Sequence, residues 1–202
     1  MKPDLSAGPS GYLAEFSRLL ERIEITTRGG ERLPIDRGIA SAIDSIVWLK
    51  EKDGKALLIG NGGSAAIVSH VHNDLCKSVG VRALVFNETP LLTAVANDHG
   101  YEEVFHRPVA LWADRHDLLI AISSSGESEN IVKAARLAGD KGCRLMTFTG
   151  FQPTNRLRLL GDLNVYVPAS DYGYVEMAHS LVAHYITDMA AVRASAAVEV
   201  QN

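Results

Sequence analysis

Four side chains on two helix-compatible segments have the types and spacing of acid/base or metal chemistry: His70 with Asp74, and Glu176 with His184. His70 and Asp74 are four residues apart, so a helix places them one turn apart on one face. Glu176 and His184 share a face of a later segment over two turns, with Ser180 between them. Imidazole nitrogens and carboxylate oxygens suit a zinc-like divalent ion, and two such pairs from different helices complete a four-ligand set. The same groups exchange protons near neutral pH. Spacing alone leaves a plainer reading open, a solvated pair on a polar helix face. His72 and Asn73 lie beside the first pair, and His179 competes on the second segment.

Two turns carry a different chemistry. Residues 55–74 read KALLIGNGGSAAIVSHVHND, an apolar run that meets a glycine turn and then a helix-compatible segment. Asn61, Gly62 and Gly63 let the backbone turn tightly and approach a ligand, and Ser64 is a good residue to open a helix. The unpaired N–H groups and partial positive charge of a helix N-terminus favour an anion such as phosphate. The second turn, Ser123, Ser124, Ser125, Gly126, Glu127 and Ser128, follows the apolar run DLLIAI. Its hydroxyls and backbone N–H groups can surround a phosphate without a lysine. Serines also cap helices and fill turns everywhere. The pairing of two such turns at two strand ends is what points to a phosphorylated ligand. No GxxxxGK[ST] motif occurs, which argues against a nucleotide-hydrolysing P-loop.

These turns need a scaffold, and the apolar pattern supplies one. Short apolar strands are expected at 56–59, 82–86, 117–122, 144–149 and 163–167, separated by helices near 90–96, 101–113, 128–141 and 155–160. A last helix runs from about 174 to beyond 190, and the tail after it has no core pattern. Parallel neighbours require crossovers that cover both faces, so the fold class is α/β: a three-layer αβα sandwich with a five-stranded parallel sheet. Both turns then lie at carboxyl ends of strands and can face one ligand. Residues 1–9 are expected to fray. Ahead of the sheet, 10–27 carries a helical stripe of Tyr12, Leu13, Phe16, Leu19, Leu20 and Ile23, 28–34 breaks it, and 35–51 forms a second helix. These extra N-terminal helices have little sheet to cover, which argues for assembly with other subunits.

At 202 residues, with 47% hydrophobic and 22% charged content, the chain is sized for one α/β domain with a full core. A net charge of −4 argues against a dedicated nucleic-acid surface. The start MKPDLSAGPSGY has no apolar signal region, and no stretch approaches a membrane span. A cytoplasmic protein without a membrane partner is expected. Cys76 and Cys143 are too few and too far apart for a disulfide framework or a zinc knuckle.

Taken together, GNGGS with His70 six residues after Ser64, AVANDHG at 94–100, AISSSGESENIVKA at 121–134 and the Glu176/His184 helix resemble the sugar isomerase (SIS) domain family. Within it, the pattern is most similar to phosphoheptose isomerases, which convert sedoheptulose 7-phosphate to D-glycero-D-manno-heptose 7-phosphate. The resemblance spans roughly residues 10–190. It implies a single SIS domain over 1–202, with 1–54 as N-terminal helical extension and 55–196 as α/β core and C-terminal helix. It implies a zinc-like metal on His70, Asp74, Glu176 and His184, with Asp74 and His184 as acid/base catalysts. It implies a phosphosugar held by Asn61, Gly62, Gly63, Ser64, Asn97, Asp98, Ser123, Ser124, Ser125, Ser128 and Glu176, in a homotetramer. The sequence departs from the family pattern at Asp74, where a glutamate is usual, and at Glu176, where a glutamine is usual. Cys76, Lys77 and Ser78 stand where the family has an arginine, and Gly173 where it has an aspartate, with Asp171 nearby. The competing reading is a non-catalytic SIS module, a phosphosugar sensor or a protein-binding scaffold. A carboxylate at Asp74 with histidines at both His70 and His184 favours the enzyme. Asp74 follows Ser64 by ten residues, about 15 Å of helix. That exceeds an extended sugar phosphate, so a neighbour's helix is expected to supply this carboxylate.

Overall fold

Leu57 and Ile59 pack on one face of the strand at 55–60 while Ala56 and Leu58 pack on the other, and so the KALLIG run is apolar throughout. The computed structural model describes residue 3 and residues 5–199, with side chains through residue 196. In chain order, the helices and strands preceding the first turn are α1 (Gly8–Leu20), β1 (Glu24–Thr27), β2 (Arg32–Leu33), α2 (Ile35–Glu51) and β3 (Lys55–Gly60). There follow α3 (Gly63–Asp74), β4 (Arg82–Val85), α4 (Thr89–His99), α5 (His106–Trp112), β5 (Leu118–Ser123) and α6 (Glu129–Asp140). The chain continues through β6 (Arg144–Thr149), α7 (Arg156–Leu160), β7 (Leu163–Tyr166) and α8 (Tyr172–Glu199). The expected fraying at 1–9 is corrected in part, because Leu5–Ala7 forms a 3-10 turn and Gly8 opens α1. Residues 1, 2, 4 and 200–202 lie outside the described residues.

The sheet order is β2-β1-β7-β6-β5-β3-β4. Pairing is parallel from β7 through β6, β5 and β3 to β4. Chain direction across the sheet reverses between β3 and β5, which creates the switch point where open α/β sheets hold ligands. The two chemical turns follow these two strands. One apolar layer joins α1, α2, α3 and α8 to one sheet face, and a second joins α4, α5, α6 and α7 to the other.

Among the described residues the sheet has seven strands, where five were expected from the sequence. The stripe over 10–27 reads as one helix, yet α1 ends at Leu20 and Glu24–Thr27 adds antiparallel to β7, with β2 beyond it. Ile25, Thr26 and Thr27 are β-branched and suit a strand, and Gly30 at φ 78° turns the hairpin. The open edge of β7 decides between the two periods. A Cβ on Gly38 would lie 2.6 Å from Ile25 Cγ2, so glycine there lets α2 close directly over β1. The expected helix over 101–113 also divides, into a 3-10 turn at Tyr101–Glu103 and α5.

The N-terminal helices are not idle extensions. Tyr12 and Phe16 of α1 pack their rings 4.7 and 5.6 Å from that of Tyr174 on α8, whose hydroxyl donates to the Tyr12 carbonyl at 3.0 Å. Both cysteines are free, and burial, with the Asp117 carboxylate next, pushes the Cys143 thiol up to about 11. Among the described residues no helix is long and apolar enough to cross a membrane.

Candidate functional site

At the end of β3, Gly62 adopts φ 54° and ψ −124°, a conformation for which glycine is suited, and α3 begins at once with Gly63. Ser64 follows, only 3% exposed. At the end of β5, Gly126 sits at φ 66° and its N–H donates to the Ser123 carbonyl at 3.0 Å, closing the serine turn. A Cβ on Gly126 would meet Asn155 Oδ1 at 2.0 Å, so that turn leans directly on the loop before α7. Arg156 grips it from the same side, donating to Glu127 Oε2 at 2.7 Å and to Glu129 Oε2 at 2.7 Å. The guanidinium holds both carboxyls below the usual range, and its charge is spent on them.

The two turns enclose a cavity of about 230 Å³ lined by Asn61, Gly62, Gly63, Ser64, Ser123, Ser124, Ser125, Ser128, Tyr172 and Glu176. Among the described residues no lysine or arginine lines it. Positive potential there comes from the N-termini of α3 and α6, which converge on it. The Ser124 hydroxyl is buried without a hydrogen-bond partner among the described residues, a donor left for a ligand. Asn97 and Asp98 are not brought to this wall. They are exposed on α4, where Asn97 Nδ2 donates to Asp98 Oδ1 at 2.8 Å.

Farther along α3 and α8 lies the second constellation. His70 Nε2 is 3.6 Å and His184 Nδ1 3.4 Å from the same Asp74 oxygen, Oδ2. The two imidazole rings meet edge-on with centroids 4.4 Å apart. One ligand atom from each of the three residues lies within 4.8 Å of the others. Four-coordinate zinc with bonds of about 2.0 to 2.1 Å spaces its ligand atoms by about 3.3 Å, so two imidazoles and a carboxylate at these distances fit such an ion with a position left open. Thr187 Oγ1 stands 3.5 Å from the same carboxylate oxygen.

Glu176 does not join these three. Its carboxylate lies against the first turn of α3, where a Cβ on Gly63 would come within 2.3 Å of Oε2. Burial, and then the Asp171 carboxylate, pushes the Glu176 carboxyl above the usual range. Helices α3 and α8 therefore run side by side in one direction. Their N-terminal ends meet at the cavity, and the Asp74 cluster lies farther along both.

The competing histidines are also resolved. His72 faces outward with its Nε2 3.8 Å from Cys76 Sγ. His179 is fully buried under Phe148, with Nε2 3.1 Å from the Thr149 carbonyl. Burial lowers its pKa from 6.5 to about 4, against the opposing pull of that carbonyl. Neutral His179 thus contributes stability that is fully present above pH 6.5 and is lost as pH falls through about 4. The loss is expected to reach about 3 kcal/mol. Urea unfolding at pH 7, 5 and 4 should show His179→Gln with a shallower pH slope than wild type, and equal slopes would refute this.

Residues 11–150 match the SIS domain family. The chain belongs to the SIS domain family. Among SIS relatives, a phosphoheptose isomerase of Helicobacter pylori (strain HPAG1) is 38% identical over 144 residues, covering 68% of this chain and 74% of the relative. A phosphoheptose isomerase of Aliarcobacter butzleri (strain RM4018) is 35% identical over 159 residues, covering 76% of this chain and 82% of the relative. The solved phosphoheptose isomerase of Neisseria gonorrhoeae superposes with a TM-score of 0.79 at 25% identity, covering 93% of this chain and 98% of that one. Within this SIS fold, several site neighbours escaped the motif reading. Tyr172 lines the cavity, its ring packed edge-on against Phe151 at 4.9 Å between centroids. An aromatic residue just ahead of the expected start of the last helix was its one signal in the sequence. Asn155 and Arg156, which brace the serine turn, had none, because nothing local links residue 126 to residue 155.

Proposed function

We propose that this chain is a phosphoheptose isomerase, interconverting sedoheptulose 7-phosphate and D-glycero-D-manno-heptose 7-phosphate through an enediol. The observation that carries the reading is the pairing of a hydroxyl-rich anion cavity at the sheet's switch point with the Asp74/His70/His184 cluster farther along the same two helices. The relatives named phosphoheptose isomerase support the choice of sugar.

In this reading the phosphate binds Ser64, Ser123, Ser124, Ser125 and Ser128, with the glycine turn at Asn61, Gly62 and Gly63 giving close backbone approach. Asn97 and Asp98 on α4 are assigned to the sugar of a neighbouring site, and Glu176 to a sugar hydroxyl beside the phosphate. Asp74 and His184 exchange the protons. One takes a proton from C1 of the ketose and returns it to C2, and the other moves a proton between the C1 and C2 oxygens. A divalent ion, zinc by the donor set, is held by His70, Asp74 and His184; when bound, it supplies polarisation of the sugar oxygens. A non-catalytic phosphosugar module would have no need of this converged cluster.

Distance supports a site shared between subunits. Ten residues of helix separate Asp74 from Ser64, about 15 Å. We assign the cluster to the phosphate cavity of a neighbouring subunit in a homotetramer. An apolar groove of about 540 Å³ between the N-terminal helices and α8, lined by Ile35, Ile39, Leu181, Tyr185 and Met189, supports assembly through these helices. The enzyme is placed in the cytoplasm.

The test is turnover across C5 to C7 ketose phosphates with the metal content of the purified protein measured. Sedoheptulose 7-phosphate should be turned over fastest, with zinc at one per chain and activity falling on chelation. Absence of turnover by the zinc-loaded protein would sink the reading.

A further inference from the structure

Asn61 and Asn130 face each other as two primary amides joined by a reciprocal pair of hydrogen bonds. Asn61 Nδ2 donates to Asn130 Oδ1 at 3.0 Å, and Asn130 Nδ2 donates to Asn61 Oδ1 at 3.0 Å. Two further donors complete the arrangement. The Ile131 N–H donates to Asn130 Oδ1 at 2.9 Å, and the Tyr101 hydroxyl donates to Asn61 Oδ1 at 3.1 Å. Each amide oxygen thus accepts two bonds, its full capacity. This fixes the orientation of both amides, since turning either one would set an NH₂ group against a donor.

The placement of this pair gives it a purpose. Asn61 opens the glycine turn after β3, while Asn130, only 3% exposed, is the second residue of α6 just past the serine turn. The β3–β5 ladder ends at the Gly60–Ile122 pair, so the ladder does not set the separation of the turns beyond it. Tyr101 reaches the same oxygen from the 3-10 turn after α4 and ties a third segment to the junction.

We propose that Asn130 and Tyr101 are positioning residues for the phosphosugar: through Asn61 they hold the glycine turn at the distance from the serine turn at which one phosphate meets both. This rests on the phosphosugar reading above. The side chains need not touch the ligand. They act by pre-organising its donors, which removes from binding the cost of drawing the turns together.

Asn130→Asp keeps the shape but replaces the donor facing Asn61 Oδ1 with an oxygen. Inorganic phosphate binding by calorimetry and steady-state kinetics with sedoheptulose 7-phosphate should show Kd and KM raised roughly tenfold. The value of kcat should stay within about twofold, because binding lost equally from ground and transition state leaves it unchanged. Lowering the pH protonates the introduced carboxyl and restores a donor, so the variant-to-wild-type KM ratio should fall. Tyr101→Phe, at an exposed residue, should raise Kd and KM by about threefold with the melting temperature unchanged. Should Asn130→Asp fail to fold, Tyr101→Phe decides by the same readouts. A wild-type Kd and KM in the folded variants, with only thermal stability reduced, would overturn the proposal. Wild-type protein that binds no phosphate would instead overturn the site reading beneath it.

Discussion

Asp74→Asn is expected to lower kcat for sedoheptulose 7-phosphate about a thousandfold, the range for removing a positioned acid/base group. The substitution keeps the side-chain shape while removing the carboxylate that both His70 Nε2 and His184 Nδ1 approach, at 3.6 and 3.4 Å. Stability should change by no more than about 1 kcal/mol, since this partly exposed cluster is not part of either apolar layer. Phosphate affinity should stay at its wild-type value, because Asp74 is assigned to the reacting carbons of the sugar and not to its phosphate. Progress curves for purified protein, with phosphate calorimetry beside them, check both halves. Full activity of the variant would remove Asp74 from the mechanism.

The double variant Ser125→Ala/Ser128→Ala is expected to weaken phosphosugar binding about a hundredfold while leaving the fold intact. A hydrogen bond to a charged group contributes about 1.5 to 3 kcal/mol, and two of them are removed. The Ser128 hydroxyl makes no capping bond to α6, and within the turn Ser125 Oγ accepts only from the exposed Glu127 N–H, at 3.2 Å. The turn is closed by Gly126 N–H on the Ser123 carbonyl and braced by Asn155 and Arg156. KM should therefore rise with little change in kcat and in melting temperature, and unchanged affinity by calorimetry would refute the serine assignment. The two predictions combine into a test of the shared site. Mixed oligomers of Asp74→Asn subunits with Ser125→Ala/Ser128→Ala subunits should regain part of the activity, because some sites then pair an intact cavity with an intact cluster. No recovery in verified hybrids would return the carboxylate to its own subunit's cavity.

What the sequence determined by itself was local. Strand and helix alternate because apolar runs of four to six residues and 3.6-residue stripes are written in consecutive residues, and the two turns announce themselves by Gly62, Gly63 and the serines at strand ends. Their convergence followed too, since carboxyl ends of parallel strands share one edge. The tertiary structure decided what depends on partners far along the chain. Ile25 and Thr26 became sheet because β7 offered an unpaired edge, although Ile23 also fits the helical stripe before it. Glu176 and His184 share a helix face, but eight residues of helix, about 12 Å, carry them to different places once α8 lies parallel to α3. The glutamate then meets Gly63 at the cavity, and the histidine meets Asp74. His179 was separated from His184 in the same way. One faces Thr149 in the core and the other faces α3, and only the packing of α8 chooses which side of the helix loses its water. The Asn61–Asn130 pair was out of reach of any local pattern, because a reciprocal amide bond between residues 69 apart exists only after β3 and β5 have paired.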